Sequence, residues 1–161
     1  AKGDLAGAEP LLREALEVKR ETLGARHPGT LISINNLGLL LQAKGDLAGA
    51  EPLLREALEV QRETRGARHP DTLTSTGNLA DLLREMGRLD EASRMLDGAL
   101  AAAQEVLGAD HRETLIIAAK AARLAHAQGH GTEALAAAVA RLEAVLGPEH
   151  PQTRKYANLL A

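Results

Sequence analysis

The chain contains no cysteine, no phenylalanine and no tryptophan, and Tyr156 is its single aromatic residue. Without cysteine there can be no disulfide, no thiolate chemistry and no cysteine-bound metal. Because 45% of the 161 residues are nevertheless apolar, the core has to be built from leucine and alanine. No apolar run approaches the roughly 18 to 20 residues of a membrane span, and no signal peptide is visible. We therefore expect a soluble, cytoplasmic protein without membrane insertion.

The chain also lacks a strong excess of either charge. Its formal net charge is −3, with acidic and basic residues interspersed. This balance gives no electrostatic reason to expect nucleic acid or an anionic membrane as a partner. The length suits one compact domain or one short repeat array. Because the sequence opens at Ala1 without methionine, we expect it to be a segment of a longer chain.

What the chain does contain is a repeat. The stretch "GDLAGAEPLLREALEV" occurs letter for letter at residues 3–18 and 45–60. Residues 2–43 laid over residues 44–85 agree at 32 of 42 positions. The phrase "LGARHPGTL" at Leu23 returns in altered form at the same 42-residue step, and a last copy follows after 39 residues. The sequence therefore predicts a tandem array whose third unit has lost three residues, close to one helical turn.

Each unit is predicted to hold two helices, because apolar residues recur at intervals of three and four and strand alternation is absent. Pro28 suits the first turn of a helix, Gly45 suits the turn after it, and Asp4 and Asp46 suit the N-cap of the second helix. Pro10 and Pro52 lie close enough to a helix start to be tolerated. We expect about eight helices, no sheet and burial of six leucines: Leu37, Leu41, Leu54, Leu79, Leu83 and Leu96. The predicted units are a half repeat at 1–23, repeats at 28–65, 70–107 and 112–146, and a half repeat at 150–161.

The pattern Ile34-x-x-Leu37-Gly38-x-x-Leu41-x-x-x-Gly45-x-Leu47-x-x-Ala50-x-x-x-Leu54-x-x-Ala57 resembles the tetratricopeptide repeat. The 42-residue step and the "HPxTLxxxxNL" phrase are similar to the long variety found in kinesin light chains, in nephrocystin-3 and in sensor arrays of large signalling NTPases. The resemblance covers the whole chain. It implies an all-α, right-handed superhelical solenoid of helix-turn-helix repeats that binds protein or peptide partners. Such a fold hosts many functions, so the resemblance is specific for the fold and weak for the ligand.

The resemblance also implies that one arc of each first helix lines a concave groove that holds an extended peptide. Between the first two units all five positions of this arc differ, whereas the exposed charges of the second helix, such as Arg13 and Arg55, are identical. If exposure alone explained the differences, the exposed residues of the second helix would have changed as well. We therefore interpret the changes in the arc as diversification of the groove. The predicted groove residues are Ile32, Asn35, Asn36, Leu39, Gln42, Thr74, Asn78, Asp81, Arg84, Glu85, Ile116, Arg123, His126, Lys155 and Asn158.

Within this set the amides and the guanidiniums carry the predicted chemistry. An amide side chain can both donate to and accept from a peptide backbone, so Asn35, Asn36 and Asn78 suit an extended ligand. The alternative is that Asn36 and Asn78 only bond within the scaffold. Arg84 and Arg123 favour an acidic side chain or a C-terminal carboxylate on the ligand. We expect Asp81 and Glu85 to oppose an all-acidic peptide.

Other residues that could carry chemistry have a simpler interpretation. His126 and His130 have metal-pair spacing, but Gly129 interrupts the helix between them, and we expect no metal and no cofactor. A histidine recurs once per unit at the entrance of the first helix and is interpreted as capping or packing: His27, His69, His111 and His150. We expect no catalytic residue and no enzymatic activity. The alternative function is that of a structural subunit that packs through open array ends and convex faces in a large assembly.

Overall fold

The computed structural model describes residues 5–160. Within that range the chain forms helices only, and the predicted all-α solenoid of eight helices is confirmed. Every one of the six leucines predicted to be buried has 2% or less of its surface exposed. None of the helices in this range combines the length and the apolar character needed to cross a membrane. The helices are α1 (Leu5–Leu23), α2 (Pro28–Lys44), α3 (Leu47–Arg65), α4 (Pro70–Glu85), α5 (Leu89–Leu107), α6 (Arg112–Ala127), α7 (Glu133–Leu146) and α8 (Pro151–Ala157).

The even-numbered helices begin at a histidine N-cap. In α2 the backbone N–H of Gly29 donates to Nδ1 of His27 at 3.1 Å, and the same bond recurs at 3.2 Å in the other three even helices. The prediction that the four histidines cap or pack is therefore confirmed. Each imidazole replaces the serine or aspartate oxygen that usually satisfies a free N–H in the first turn.

The predicted aspartate cap and glycine turn occur where the duplicated sequence is best kept, between α2 and α3, whereas Arg88 and Thr132 precede α5 and α7 without a side-chain cap bond. The Asp46 carboxylate accepts from the N–H of Gly49 at 2.9 Å and caps α3, whereas Asp4 lies outside the described residues. Gly45 adopts a left-handed φ of 85° after α2, where its N–H bonds back to the carbonyl of Gln42. Pro52 lies within α3, whose helix continues through it. The shortened third unit shows in α7, which has 14 residues where α3 and α5 have 19.

Each helix packs against the next one along the chain, and the even helices also pack against one another. α2 lies close to α3 at Gly38, where an added Cβ would sit 2.7 Å from Leu54 Cδ2. The equivalent position of the next unit holds Ala80, so a side chain at Gly38 would require Leu54 to shift. The even helices thus form an inner layer that carries the surface described below.

The odd helices form an outer layer with a different kind of contact. Within the described residues no Cα atoms of α1 and α3, of α3 and α5, or of α5 and α7 come within 8 Å of each other. Ion pairs bridge the first two of these gaps. Arg20 reaches Glu56 at 2.8 Å, and Arg55 reaches Glu91 at 2.8 Å. Neighbouring repeats therefore meet by the packing of each odd helix on the next even helix, and exposed ion pairs add a link between the first outer helices.

Candidate functional site

A cavity of about 500 Å³ opens on the inner layer between α2, α4, α6 and the start of α8. We call this cavity the groove. It receives side chains from all four even helices, because positions 42 residues apart fall next to each other on successive helices. Its lining consists of Leu39, Gln42, Ala43, Thr74, Gly77, Asn78, Asp81, Glu85, Arg112, Glu113, Ile116, Ile117, Lys120, Arg123, Gln152 and Lys155.

Nine of the fifteen predicted residues line the groove: Leu39, Gln42, Thr74, Asn78, Asp81, Glu85, Ile116, Arg123 and Lys155. Ile32 and Asn35 line a smaller adjoining hollow of about 180 Å³, which shares Thr74 with the groove. The other four, Asn36, Arg84, His126 and Asn158, line neither cavity. Arg84 instead donates to the neighbouring carboxylate of Glu85 at 3.1 Å.

The centre of the groove is a buried carboxylate surrounded by three cations. Asp81 Oδ2 lies 3.2 Å from the Lys120 ammonium and 3.8 Å from that of Lys155. The other oxygen of Asp81 accepts a hydrogen bond from Arg123. The side chains of Asp81, Lys120 and Arg123 are about nine-tenths buried, whereas Lys155 is 46% exposed. We call these four residues the Asp81 cluster. Asp81, which is expected together with Glu85 to oppose an all-acidic peptide, thus has a charge that is already paired within the groove.

The Asp81 cluster changes the acidity of its members. Burial by itself would raise the pKa of Asp81, but the charges of Lys120, Arg123 and Lys155 outweigh it, so the pKa lies below its ordinary value. Burial lowers the pKa of Lys155, since the opposing attraction of Asp81 does not fully compensate for lost hydration. One carboxylate therefore stays ionised among three cations, and two positive charges in the cluster have no counterpart within it.

Tyr156 forms the floor beneath two of these cations. The Arg123 guanidinium carbon lies 5.7 Å from the centre of its ring, and the Lys155 ammonium lies 5.5 Å from it. The ring is fully buried, and burial raises the pKa of its phenol well above the ordinary value. Both cations are thus held near the electron-rich face of an aromatic ring, which is a favourable place for a positive charge.

Polar atoms without partners also surround the cluster. Within the described residues, Nε of Arg123, the side-chain oxygen of Gln152 and the hydroxyl of Tyr156 are buried and make no hydrogen bond to protein. Buried polar groups are nearly always bonded, so such atoms mark a place where a ligand or ordered water completes the network.

The amide side chains form a short ladder along the inner layer. Asn78 donates from Nδ2 to Oδ1 of Asn35 at 3.4 Å, and it accepts from the Lys120 ammonium at 3.1 Å. Asn78 therefore bonds within the scaffold, as the alternative interpretation predicts, and its side chain also lines the groove. Asn36, by contrast, is exposed and lies outside the lining.

Sequence reasoning missed Lys120, Gln152 and Tyr156 as contributors to this site. The signal for Lys120 was present, because it lies 42 residues after Asn78, which itself lies 42 after Asn36. For Tyr156 the sequence gives no such signal, because a lone aromatic residue in a leucine core suggests packing. Its role as a floor depends on the angle between α6 and α8, which no pattern in one sequence provides.

The spacing of His126 and His130 suggests a metal pair only if both residues lie on one helix. No group of three or more potential ligands comes together among residues 5–160. α6 ends at Ala127, and Gly129 adopts a φ of +85°, so His126 and His130 do not share a helical face. The helical metal pair suggested by their spacing is therefore not formed.

The chain is similar in sequence to a family of repeats and in structure to several solved repeat proteins. A model of the tetratricopeptide repeat matches residues 1–63, 33–97 and 71–138. No curated protein matches the sequence. Two crystal structures of a Podosopora anserina protein, described as a kinesin light chain with nearly identical TPR-like repeats, are 28% and 29% identical, with TM-scores of 0.76 and 0.75. Each of these two matches covers 96% of this chain and 74% of the other. The crystal structure of BtubC (BKLC) from P. vanneervenii shares the fold, at 23% identity and a TM-score of 0.67, over 97% of this chain and 62% of its own.

Proposed function

Since the chain belongs to the tetratricopeptide repeat family, whose repeats generally serve as scaffolds for protein–protein interaction and are typically non-catalytic, we propose that its groove holds an extended peptide. The observation that carries this proposal is the Asp81 cluster, in which three cations share a single carboxylate at the bottom of an open cavity. A largely desolvated site with surplus positive charge favours an incoming anion.

The anionic part of the peptide is an acidic side chain or a C-terminal carboxylate near Lys155 and Arg123. Lys155 is the cation most open to solvent, and its ammonium is 3.8 Å from Asp81, so it has donors to spare. Arg123 contributes a buried Nε without a partner. Asp81 does not repel such a ligand strongly, because it holds the cations in place and its charge is already offset.

The remainder of the peptide contacts an apolar and amide surface. Leu39 and Ile116 line opposite sides of the groove, on α2 and α6. Asn35 and Asn78 supply amides in the adjoining hollow and in the groove. Amides bond to a peptide backbone with little regard to sequence, so the anion and the apolar residues set the selectivity. We propose a mixed ligand, acidic at one end and apolar towards the other, rather than an all-acidic one.

The test is selection of binding peptides from a random library with free C-termini, followed by measurement of affinity by calorimetry. The groove variant combines Asn35→Ala with Lys155→Gln, two changes that leave the Asp81–Arg123 pair intact. We expect this variant to weaken binding by about 2 to 4 kcal/mol if both positions are hot spots. The control variant combines Glu17→Gln with Glu59→Gln, two exposed residues of the outer layer. Binding lost in the control and retained in the groove variant would refute the proposal.

A second candidate function is assembly through the outer helices. Leu11 and Val18 on α1 are 67% and 50% exposed, whereas their counterparts on α3, Leu53 and Val60, are half-buried. An apolar face of this kind packs against further repeats of the same chain or against a neighbouring protein, and the assembly candidate takes the second of these. Sedimentation of the chain with Leu11→Ser and Val18→Ser tests this candidate, because an assembly held by α1 should dissociate while peptide binding persists.

A further inference from the structure

A second cleft lies on the outer layer between α3 and α5, and duplication has altered its charges. Between α1 and α3, Arg20 donates to both carboxylate oxygens of Glu56 at 2.8 Å. One repeat later the counterpart of Arg20 is Arg62, but the counterpart of Glu56 is Gly98. The Arg20–Glu56 ion pair therefore has no equivalent in the next gap, which is bridged at another position by Arg55 and Glu91.

Nothing in the backbone requires glycine at position 98. It lies inside α5 without a positive φ, and a Cβ added there would meet no atom within 4 Å. Glycine inside a helix costs about 1 kcal/mol relative to alanine. What the glycine does is remove a carboxylate and leave open space beside Arg62.

Two further replacements in α5 change the charge in the same direction. Arg94 stands where α3 has Pro52, and Ala101 stands where α3 has Glu59. Relative to α3, the helix has thus gained a guanidinium and lost two carboxylates at these three positions. The changes coincide on one cleft, since Arg94, Gly98 and Ala101 all line it. Glu91, which stands where α3 has Gly49, adds one carboxylate to the lining, but this carboxylate is paired with Arg55 and Arg88.

The cleft has the size and the lining of a ligand site. Its volume is about 520 Å³, within the range of small-molecule pockets. Apolar atoms of Leu73, Met95, Ala99 and Ala102 line it together with Thr76. Arg62, Arg68, Arg94, Glu91 and Glu105 supply its charges.

Only some of these charges are already paired. Glu91 accepts from Arg55 and Arg88, and Glu105 accepts from Arg68 at 2.6 Å. Arg62 and Arg94 make no ion pair or side-chain hydrogen bond with any residue in the described range. Glu59 lines the adjoining hollow rather than this cleft. The cleft therefore presents two free guanidiniums beside an apolar surface.

We propose that this cleft binds a small amphipathic anion, with a carboxylate or phosphate group on Arg62 and Arg94 and a short hydrocarbon body over Met95 and the alanines of α5. A guanidinium binds either anionic group through paired N–H donors, and the hydrocarbon covers side chains that water would otherwise contact. This site is separate from the groove, which faces the inner layer, so either one can fail without the other.

The test uses methyl-labelled methionine in the full chain, because the chain has only two methionines and one of them lies in the cleft. Octanoate, octyl phosphate and octylammonium are titrated while the methyl NMR signals are followed. We expect a saturable shift of the Met95 signal with octanoate or octyl phosphate, and little change at Met86, which does not line the cleft. The stronger of these two probes identifies the preferred anionic group.

Variants locate the anion. Gly98→Glu restores the carboxylate beside Arg62 and should abolish the shift, while Gly98→Ala should preserve it. Arg62→Gln should raise the dissociation constant about fivefold, as expected for one exposed charge contact. Arg20→Gln is the matched control, since it makes the same charge change in the neighbouring gap and should have no effect. The proposal is overturned if no probe shifts Met95, if octylammonium binds as well as octanoate, or if Gly98→Glu leaves binding unchanged.

Discussion

Replacing Asp81 by asparagine should destabilise the fold and at the same time strengthen the binding of anionic peptides. The substitution keeps the shape of the side chain but removes the one negative charge among Lys120, Arg123 and Lys155. The three cations then repel one another in a site from which water is largely excluded. An incoming carboxylate would take the place of the lost one.

The size of the effect follows from burial. Removing one partner of a buried ion pair costs about 3 to 5 kcal/mol. Two of the three cations here are about nine-tenths buried, but Lys155 is 46% exposed and can turn towards water. We therefore expect Asp81→Asn to lower the free energy of unfolding by about 2 to 4 kcal/mol.

The assay is urea denaturation followed by circular dichroism across a range of pH. The pKa of Asp81 is lower in the folded chain than in the unfolded chain, whose ordinary value is about 3.9. Its contribution to stability is therefore fully present above that value and is lost as the pH falls through the folded pKa. The acid-dependent loss of stability below about pH 4 should be smaller in Asp81→Asn than in the parent chain.

Glu85→Gln is the control for the same experiment. Glu85 is exposed and, among residues 5–160, forms an ion pair with Arg84 alone, so its loss should cost less than about 1 kcal/mol. If Asp81→Asn is no more destabilising than Glu85→Gln, the cluster does not depend on its carboxylate. If Asp81→Asn weakens the binding of acidic peptides in a chain that remains folded, the charge argument for the groove is wrong.

Three further predictions concern stability and order. His69→Ala should lower the free energy of unfolding by about 1 kcal/mol by removing an N-cap, and His69→Asn should recover most of the loss, as urea denaturation would show. Hydrogen exchange should open residues 112–146 before residues 28–85, because the third unit packs through alanines, which bury less apolar surface than leucines, around an open cleft of about 390 Å³ between α5, α6 and α7, and equal protection would refute this. Tyr156→Phe should leave stability unchanged or raise it by up to about 1 kcal/mol, since the buried hydroxyl has no partner within the described residues, and a clear loss in urea denaturation would reveal one.

The duplication explains how much of the fold could be predicted from the sequence. A 42-residue step, leucines at intervals of three and four, and glycine after each first helix determine the helices and their buried faces, so Leu37 and Leu79 could be assigned before any coordinates. The histidine caps could also be predicted from the sequence, because a residue that recurs at the start of equivalent helices usually has a structural role there.

The site could be predicted only in part, because neighbouring helices decide it jointly. The arc of each first helix gave Leu39, Asp81 and Arg123 as equivalent positions, and all three line the groove. α4 and α6 lie side by side, so opposite charges 42 residues apart come into contact. Asp81 and Arg123 pair for this reason. Arg84 was assigned to the groove from the same helical arc, yet its side chain turns to Glu85, since a long side chain can reach a neighbour on its own helix.

Exposed ion pairs link the first outer helices, and they bear on how the array responds to salt. Adjacent helices are held by packed side chains, whose contacts change little with ionic strength, whereas the gaps from α1 to α3 and from α3 to α5 are bridged by the ion pairs Arg20–Glu56 and Arg55–Glu91. Salt screens exposed charges much more than it weakens apolar packing. Added salt should therefore weaken these ion pairs while the packing of adjacent helices persists. The gaps between the outer helices would then widen, and the curvature of the array and the width of its groove would change without unfolding.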